Sequence, residues 1–300
     1  MKKAFTLVEL LVVVGILGIL MAVLLPNFFG GRESARATLC LANLKTLGNA
    51  VQSYGVAETF YPRAGSVEYR VNTQAGISRT THAVYHDRPG WISWNSKGKY
   101  TSSWGNSSSS NNPIVGMYTT DDEAATHALT NGTLWTYVAR NTKVYVCPSH
   151  IKKMSGKNPP HWSYLMSSYF RGNSTKAQTY PWSHDYQGLP RADRYLLFSE
   201  VPFMGYSSWN PSGTGASTDT DAVLDCSGGR ETIGANHVEG KNLYAHVCFA
   251  DGHTEKLKIP YTGTPDHPKA DEQQLRNLTQ WLCEGKDVSY RNSKYQKLTD

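Results

Sequence analysis

The strongest constraint on the fold of this chain is an apolar run at residues 5–25. The run is 21 residues long, and Glu9 is its only charged side chain. At about 1.5 Å per residue, a helix of this length measures about 30 Å, the thickness of a bilayer core. Lys2 and Lys3 precede the run. We therefore predict a helix able to span a membrane with its N-terminus on the cytoplasmic side.

Three kinds of segment fit this run: a cleaved signal peptide, an uncleaved anchor, and a helix that later packs against copies of itself. A signal peptide is favoured by the basic start and by Ala35 and Ala37, but these lie well beyond the apolar run. An acidic residue deep in a spanning helix costs up to about 3 kcal/mol, so Glu9 needs a partner. Packing between copies supplies a partner, whereas an anchor would leave Glu9 near the cytoplasmic interface.

The segment at residues 2–10, KKAFTLVEL, resembles the processing signal of type IV prepilins and type II secretion pseudopilins. The resemblance implies that prepilin peptidase cuts between Ala4 and Phe5 and that Phe5 becomes N-methylated. It also implies that Glu9 contacts the N-terminal amine of a neighbouring subunit, which would neutralise the buried carboxylate. Ala4 stands where the family usually has Gly, and Pro26 stands where many pilins have a helix-kinking Pro.

A second helical pattern follows the apolar run. Its apolar residues recur at steps of three and four, as in an amphipathic helix: Ala37, Leu41, Leu44, Leu47, Val51 and Tyr54. We predict a helix over about 32–54 that continues the membrane helix, with a kink or soft spot near Pro26. The predicted organisation is a leader at 1–4, a transmembrane and assembly helix at 5–25, an amphipathic helix at 26–55 and an exported domain at 56–300.

The exported domain is predicted to be α+β, with the long N-terminal helix packed on an antiparallel β-sheet that carries long loops. Residues 143–147, 195–200 and 242–250 have strand-like patterns, whereas 271–283 has a helical one. The run at 242–250 alternates two faces, one of them with Leu243, Ala245, Val247 and Phe249. Burial favours a three-residue loop at 251–253, which would set Leu257 against Val247.

Further segments resemble a large pilin-like family of planctomycetes, verrucomicrobia and their relatives. The resemblance lies in FADGH at 249–253 with His237 upstream, in CLANLK at 40–45 and in VCPS at 146–149. In that family nine residues usually separate the His from the Asp-Gly, whereas thirteen do so here. An inserted loop or a different pairing of His237 is therefore expected.

Five cysteines occur, at positions 40, 147, 226, 248 and 283, without a Cys-x-x-Cys pair. This spacing disfavours a zinc ribbon and a thioredoxin-type redox site. We predict a disulfide between Cys40, beside the apolar stripe, and Cys147, at the end of a predicted strand. In the chain-entropy model the bridge would be worth up to about 4 to 5 kcal/mol. The alternative is that both are small buried hydrophobic residues.

Other candidate ligand sites are weaker. Asp219, Asp221 and Asp225 can supply oxygens to Ca²⁺, but a solvated acidic loop has the same composition. A metal cluster of His237, His246 and His253 with Asp251 is disfavoured, because the strand places His246 away from the turn. We expect instead that Asp251 bonds backbone amides of the turn, with a His packed over it.

Three tryptophans lie in polar surroundings and are candidates for flat contacts with polysaccharide: Trp91, Trp94 and Trp104. The alternative is that they form small clusters beneath long loops.

No motif for catalysis is present, so we predict that the protein is not an enzyme. A hydrolase is the third of three hypotheses for its function. The net charge of +6 is spread thinly, which gives no support for a nucleic-acid partner. We predict a structural subunit of a type IV pilus-like filament or a type II secretion pseudopilus. Its partners would be copies of itself or related pilins, prepilin peptidase and the inner membrane, before it reaches a periplasmic or cell-surface filament. The alternative is an exported or anchored polysaccharide-binding protein.

Overall fold

A computed structural model of the full chain describes most of its N-terminal helix and the core of the domain. The described residues are 6–64, 67–68, 90–92, 94–95, 126, 128–153, 161–170, 186–202, 222–224, 226, 232–239, 242–259, 261–264, 267–270 and 272–286. At 22–30 and in some short strands only the backbone is described.

Helix α1 spans Leu7–Glu58 and is 52 residues long, or about 78 Å at 1.5 Å per residue. It runs without interruption through Pro26, so the predicted continuity of the two helical segments is confirmed. It ends at Thr59, which adopts a left-handed conformation and donates its N–H to the Gly55 carbonyl. The end lies four residues beyond the predicted one.

The predicted apolar stripe of α1 is the face that docks on the domain. Ala37, Leu44, Leu47 and Val51 are buried, and Cys40 joins them at the same spacing. Leu41 and Tyr54, at the edges of the stripe, are half-buried. Between these residues, Gly48 lets the helix approach Cys248 and Gly252 closely.

The central sheet has six strands. They are β3 (Tyr164–Ser167), β4 (Leu196–Glu200), β5 (Val223–Leu224), β6 (Ala235–Glu239), β7 (Asn242–Phe249) and β8 (Thr254–Ile259). Strand β7 pairs antiparallel with β4, β6 and β8, and β3 pairs antiparallel with β4. The β3–β5 pair is parallel, so the predicted antiparallel sheet is mixed at this end.

Smaller elements complete the described part of the chain. They are β1 (Val67–Glu68), β2 (Trp94–Asn95), α2 (Pro148–Lys153), β9 (Tyr261–Thr264), β10 (His267–Ala270) and α3 (Glu272–Cys283). Residues 143–147, predicted as a strand, instead lie largely in a 3-10 turn at Thr142–Tyr145. A short apolar run does not distinguish these conformations by its periodicity.

The two faces of β7 contribute to two separate cores, as the alternation predicts. Leu243, Ala245, Val247 and Phe249 pack with the leucines of α3, whereas Cys248 packs with α1. The sheet therefore lies between two helical layers, with α1 on one face and α3 on the other. The α+β prediction is confirmed.

The β7–β8 hairpin corrects the predicted register. The loop has three residues, as expected, but they are Ala250, Asp251 and Gly252, because Phe249 N–H bonds the His253 carbonyl. Leu257 therefore pairs with Ala245 and not with Val247. The shift is two residues, which leaves the same side chains on the buried face, so burial alone does not separate the registers.

Within the described residues, no helix combines the length and the apolar character that crossing a membrane requires.

Candidate functional site

The first part of α1 carries an apolar surface that no other described part of the chain covers. Exposed fractions reach 77% for Leu7, 66% for Leu11 and 69% for Ile19. The exposed apolar side chains are Leu7, Val8, Leu10, Leu11, Val12, Val13, Val14, Ile16, Leu17, Ile19, Leu20 and Met21. Because exposed apolar surface of this extent marks an interaction site, this segment needs a partner outside the described chain.

Glu9 lies at the start of this surface and caps its own helix. Its Oε2 atom accepts hydrogen bonds from the N–H and the hydroxyl of Thr6, both at 2.8 Å. In return, the Glu9 N–H donates to the Thr6 hydroxyl oxygen at 3.3 Å. This reciprocal pair is a capping box, a pattern for which Thr and Glu three residues apart are the sequence signal. It satisfies helix-end N–H groups and gives Glu9 local partners before any assembly.

The second part of α1 is held by polar bonds at the edge of its buried stripe. Lys45 Nζ donates to the Gly252 carbonyl at 2.8 Å, and Gln52 Nε2 donates to the Ala250 carbonyl at 2.7 Å. Asn43 Nδ2 donates to the Val146 carbonyl at 3.0 Å. These side chains satisfy backbone carbonyls of the hairpin and of the 3-10 turn, and so fix α1 along the domain.

Where α1 meets the sheet, four polar side chains from distant parts of the chain form a buried cluster, here called the junction cluster. It consists of Cys40 from α1, Cys147 before α2, Glu200 at the end of β4 and His237 in β6. None of the four has a measurable exposed fraction. One thiol, carboxylate or imidazole atom from each lies within 4.8 Å of those of the other three.

Glu200 is the centre of the junction cluster. Its Oε1 accepts a short hydrogen bond from the Cys40 thiol and lies 2.8 Å from His237 Nε2. His237 Nε2 in turn lies 3.8 Å from Cys147 Sγ. Among the described residues, no group hydrogen-bonds the second carboxylate oxygen, Oε2. Such an unsatisfied buried atom is uncommon, because its desolvation is not compensated.

The buried carboxylate and imidazole form an ion pair. Burial alone would raise the pKa of Glu200, but the charge of His237 and its hydrogen bond lower that pKa to about 2. Burial alone would lower the pKa of His237, whereas Glu200 raises that pKa to about 12. Burial, with the nearby Cys147 and Glu200, raises the pKa of the Cys40 thiol. Without another ligand, Glu200 and His237 are therefore charged and Cys40 is a thiol.

The other nitrogen of His237 faces a second carboxylate. Its Nδ1 lies 3.7 Å from Glu33 Oε1. Glu33 is held by the Ser149 hydroxyl at 2.6 Å and by Arg36 Nη1 at 3.2 Å. Its own burial would raise the pKa of Glu33, but His237, Ser149 and Arg36 lower it to about 2. The segment Cys147-Pro148-Ser149 thus supplies one member of the junction cluster and one support for it.

Two more side chains border the junction cluster. The Tyr164 hydroxyl lies 3.2 Å from Cys40 Sγ. The His246 ring stacks on His237 with centroids 4.3 Å apart, and its Nδ1 lies 3.8 Å from Glu200 Oε1. His246 therefore lies beside His237 and away from the turn, as its position on the strand predicts. His253 belongs instead to the hairpin turn.

The turn itself has the predicted arrangement. Asp251 Oδ1 accepts the His253 N–H at 3.0 Å and lies 2.5 Å from His253 Nδ1. The His253 ring stacks on Phe249 with centroids 4.5 Å apart. The prediction of a turn Asp with a His packed over it is confirmed.

The predicted disulfide between Cys40 and Cys147 is wrong in this structure, where both are free thiols. The two residues do meet, but their sulfurs interact with Glu200 and His237 instead of forming a bond. The disulfide joins Cys226 and Cys283, with Cα atoms 6.1 Å apart, and ties the end of α3 to the segment after β5. Spacing in the sequence does not distinguish between these pairings.

The remaining predicted site residues have different outcomes. Trp91 is buried and donates its Nε1–H to the Ala222 carbonyl at 3.0 Å, so it is a core residue and cannot contact a polysaccharide. The side chain of Trp94 and all of Trp104 lie outside the described residues. So do Ala4, Phe5 and the three candidate calcium ligands Asp219, Asp221 and Asp225, whose roles stay predictions.

One known family matches the N-terminus of the chain. Residues 1–25 match the family described as the prokaryotic N-terminal methylation motif. The chain is 40% identical over 61 residues to the type II secretion system core protein G of Vibrio cholerae, which covers 20% of this chain and 42% of that protein. The corresponding protein of Aeromonas hydrophila is 36% identical over 61 residues, 20% of this chain and 43% of its own length.

A pilin is also similar. The type IV major pilin protein PilA of Myxococcus xanthus is 33% identical over 94 residues, 28% of this chain and 43% of the pilin. The chain thus spans less than half the length of each of these three relatives. No solved structure matches it significantly. The matched family thus covers residues 1–25, the part of the chain in which α1 begins.

Proposed function

We propose that this chain is a structural subunit of a type IV pilus-like filament or a type II secretion pseudopilus. It is made as a membrane-held precursor with a cytoplasmic N-terminus. Prepilin peptidase removes residues 1–4, Phe5 is N-methylated, and α1 packs against copies of this chain or related pilins. The product is a periplasmic or cell-surface filament. The protein has a structural and not an enzymatic role.

The observation that carries the proposal is the coincidence of the methylation motif with the uncovered apolar surface of α1. Both a lipid bilayer and a bundle of similar helices can cover an apolar helix on all sides. Relatives named as a type IV major pilin and as a type II secretion system core protein support the same proposal. The same apolar segment can thus be held in the membrane before assembly and pack against other subunits during it.

The position of Glu9 supports the same proposal. In the single chain its carboxylate is occupied by Thr6 through one oxygen, Oε2. The local cap lowers the cost of placing the carboxylate near a membrane, because hydrogen bonds replace lost hydration. On assembly, the methylated amine of a neighbouring subunit supplies the opposite charge that a buried carboxylate requires.

The first test is the N-terminus of the mature protein. Mass spectrometry of protein from the native cell surface should find a chain that starts at N-methylated Phe5. An Ala4→Gly variant, which has the residue usual in the family, should be processed at least as completely, and a bulky Ala4→Leu variant should remain uncut. A mature chain that starts at Met1 or near Thr38 would contradict the proposal, the latter indicating a signal peptide.

The second test is the filament. Surface or periplasmic filaments should be isolated, imaged and analysed for their subunits by mass spectrometry, and this chain should be among them. Correct processing at Phe5 without any filament that contains the chain would favour an exported binding protein that only uses the same signal.

A further inference from the structure

We propose that the junction cluster is a structural zinc site in which Cys40, Cys147, Glu200 and His237 bind one Zn²⁺. Two thiolates, one imidazole and one carboxylate are donors that zinc accepts in proteins, and four donors fill its tetrahedral shell. The inference concerns the exported domain and does not depend on whether the chain forms filaments.

The distances fit such a site with little movement. In a tetrahedral zinc site, bond lengths of about 2.0 to 2.3 Å separate the donor atoms by about 3.3 to 3.8 Å. The four donor atoms here all lie within 4.8 Å of one another, and Cys147 Sγ and His237 Nε2 are 3.8 Å apart. Glu200 Oε1 would have to move away from both His237 Nε2, now 2.8 Å away, and Cys40 Sγ, as the metal replaced the two hydrogen bonds.

Burial distinguishes this set from a chance grouping of polar side chains. All four residues are fully buried, although charged and thiol groups need compensation for lost water. Glu200 Oε2 has no hydrogen-bond partner among the described residues, which therefore leave the carboxylate incompletely satisfied. A cation at the centre of the junction cluster would compensate the carboxylate and both sulfurs at once.

The surroundings are those of a metal-bound histidine. Such a residue binds metal through one nitrogen and donates its other N–H to a carboxylate or carbonyl. With Nε2 toward the cluster, His237 Nδ1 lies 3.7 Å from Glu33 Oε1 and has no hydrogen-bond partner among the described residues, so a small shift would complete this bond. Ser149 and Arg36 hold Glu33 in place. The complete burial of all four donors leaves no open position for a substrate, which is typical of structural and not catalytic zinc.

The zinc site would fasten α1 to the domain on which it packs. Its donors come from α1, the segment before α2, β4 and β6, so one ion would join four parts of the chain that are distant in sequence. Zinc binding would release protons from these ligands, because Cys binds zinc as the thiolate and His as the neutral imidazole. Because the complete site exists only in the folded chain, metal binding would stabilise the fold.

The test uses the full-length chain, purified in detergent under reducing, metal-free conditions and then equilibrated with zinc. Elemental analysis should find one zinc per chain after removal of unbound metal. Replacing zinc by cobalt should give the thiolate-to-cobalt charge-transfer band and the visible absorption of a tetrahedral site. Chelation should lower the melting temperature, and added zinc should restore it.

Variants locate the site. Cys40→Ser and Cys147→Ser should each lose the cobalt–thiolate spectrum and most of the zinc. Cys248→Ser is the matched control, because Cys248 is also a buried free thiol of the same core but lies outside the cluster, and it should keep both. Glu33→Gln should retain the spectrum while weakening zinc about 10- to 100-fold, as expected for a group that only orients His237.

Several results would overturn the proposal without relying on the folding of a variant. One is a wild-type chain that takes up no stoichiometric zinc, and another is a cobalt complex without thiolate bands. A third is peptide mapping that finds a Cys40–Cys147 disulfide in protein from the native compartment. Equal loss of zinc from Cys248→Ser and Cys40→Ser would show that metal content follows general folding and not these ligands.

Discussion

The two parts of α1 belong to one helix but meet opposite surroundings. From Leu7 to Met21 the apolar side chains are exposed around the whole helix. From Ala37 onward most apolar side chains form one stripe that is buried or half-buried, and Leu39 and Val56 lie exposed outside it. The first part therefore depends on molecules outside the chain, and the second depends on the sheet beneath it. A mutation of the same chemical kind should affect assembly in one part and folding in the other.

The largest effect is expected from Glu9→Ala, which should reduce filament yield by more than about tenfold. Removal of one partner from a buried ion pair costs about 3 to 5 kcal/mol, so loss of the carboxylate should strongly oppose assembly. Membrane insertion should be unchanged or improved, because an acidic group is removed. Filament yield is measured from sheared or purified filaments and compared with the amount of membrane-held subunit.

Thr6→Val is the matched control for Glu9→Ala. It removes the hydroxyl of the capping box, at a cost of about 1 kcal/mol to the helix end, but keeps the carboxylate. Filaments should persist in this variant. Equal loss of filaments in both variants would mean that Glu9 acts as a cap and not as an assembly contact.

The next effect is on folding. Leu44→Ala removes a fully buried side chain from the docked stripe and should destabilise the exported domain by about 2 to 5 kcal/mol. Leu11→Ala, at a 66% exposed position of the same helix, should leave thermal unfolding in detergent unchanged. An equal lowering of the melting temperature by both variants would contradict the proposed difference between the two parts of α1.

A smaller effect is expected from adding one methyl group at a glycine. A Cβ at Gly48 would lie 2.7 Å from Cys248 Sγ and 3.1 Å from the Gly252 carbonyl oxygen, so Gly48→Ala should cost about 1 to 3 kcal/mol. Gly15, in the uncovered part, has no atom within 4 Å of such a Cβ. Gly15→Ala should therefore be neutral or slightly stabilising in detergent, since Ala favours helix over Gly. Denaturant titration of both variants provides the measurement.

The smallest expected effect is a pH dependence of stability at the β7–β8 hairpin turn, which lies under the docked part of α1. Hydrogen bonds to Glu255 and Asp251 raise the pKa of His253, although burial opposes the rise. Because the folded state holds this proton more tightly, its contribution is fully present below the unfolded pKa of about 6.5 and is lost as the pH rises through the folded value. Partial exposure keeps the contribution below about 1 kcal/mol.

Melting curves of wild type and His253→Gln at about pH 5.5 and 8.5 test this contribution. The stability difference between wild type and variant should be larger at the lower pH. An equal difference at both pH values would exclude a role of the His253 charge.

The parts of the fold that depend on local periodicity could be predicted from the sequence. The steps of three and four along α1 and the alternation along β7 each identify a buried face, because side-chain direction follows the backbone period. The predicted register of the β7–β8 hairpin is wrong by two residues, since Leu257 would be buried opposite either Ala245 or Val247.

The junction cluster could not be predicted in the same way. Its four members are separated in sequence by 107, 53 and 37 residues, and no period connects them. The absence of a Cys-x-x-Cys pair disfavours zinc motifs made from adjacent ligands but does not bear on ligands that tertiary structure brings together. The sequence identifies Glu200 only as the last residue of a predicted strand, because its burial depends on how β4 lies against α1 and β6.

The continuity of α1 has a mechanical consequence. About 30 residues separate its first turn from Ala37, the first buried position among its described side chains, which makes a lever arm of about 45 Å. A tilt of about 10° at the docked end would displace the tip by about 8 Å if the arm were rigid. Pro26 lies within the arm and has no N–H to donate to the preceding turn, so bending should concentrate there. The packing of neighbouring arms would thus set the angle at which each exported domain is presented, with Pro26 taking up the mismatch.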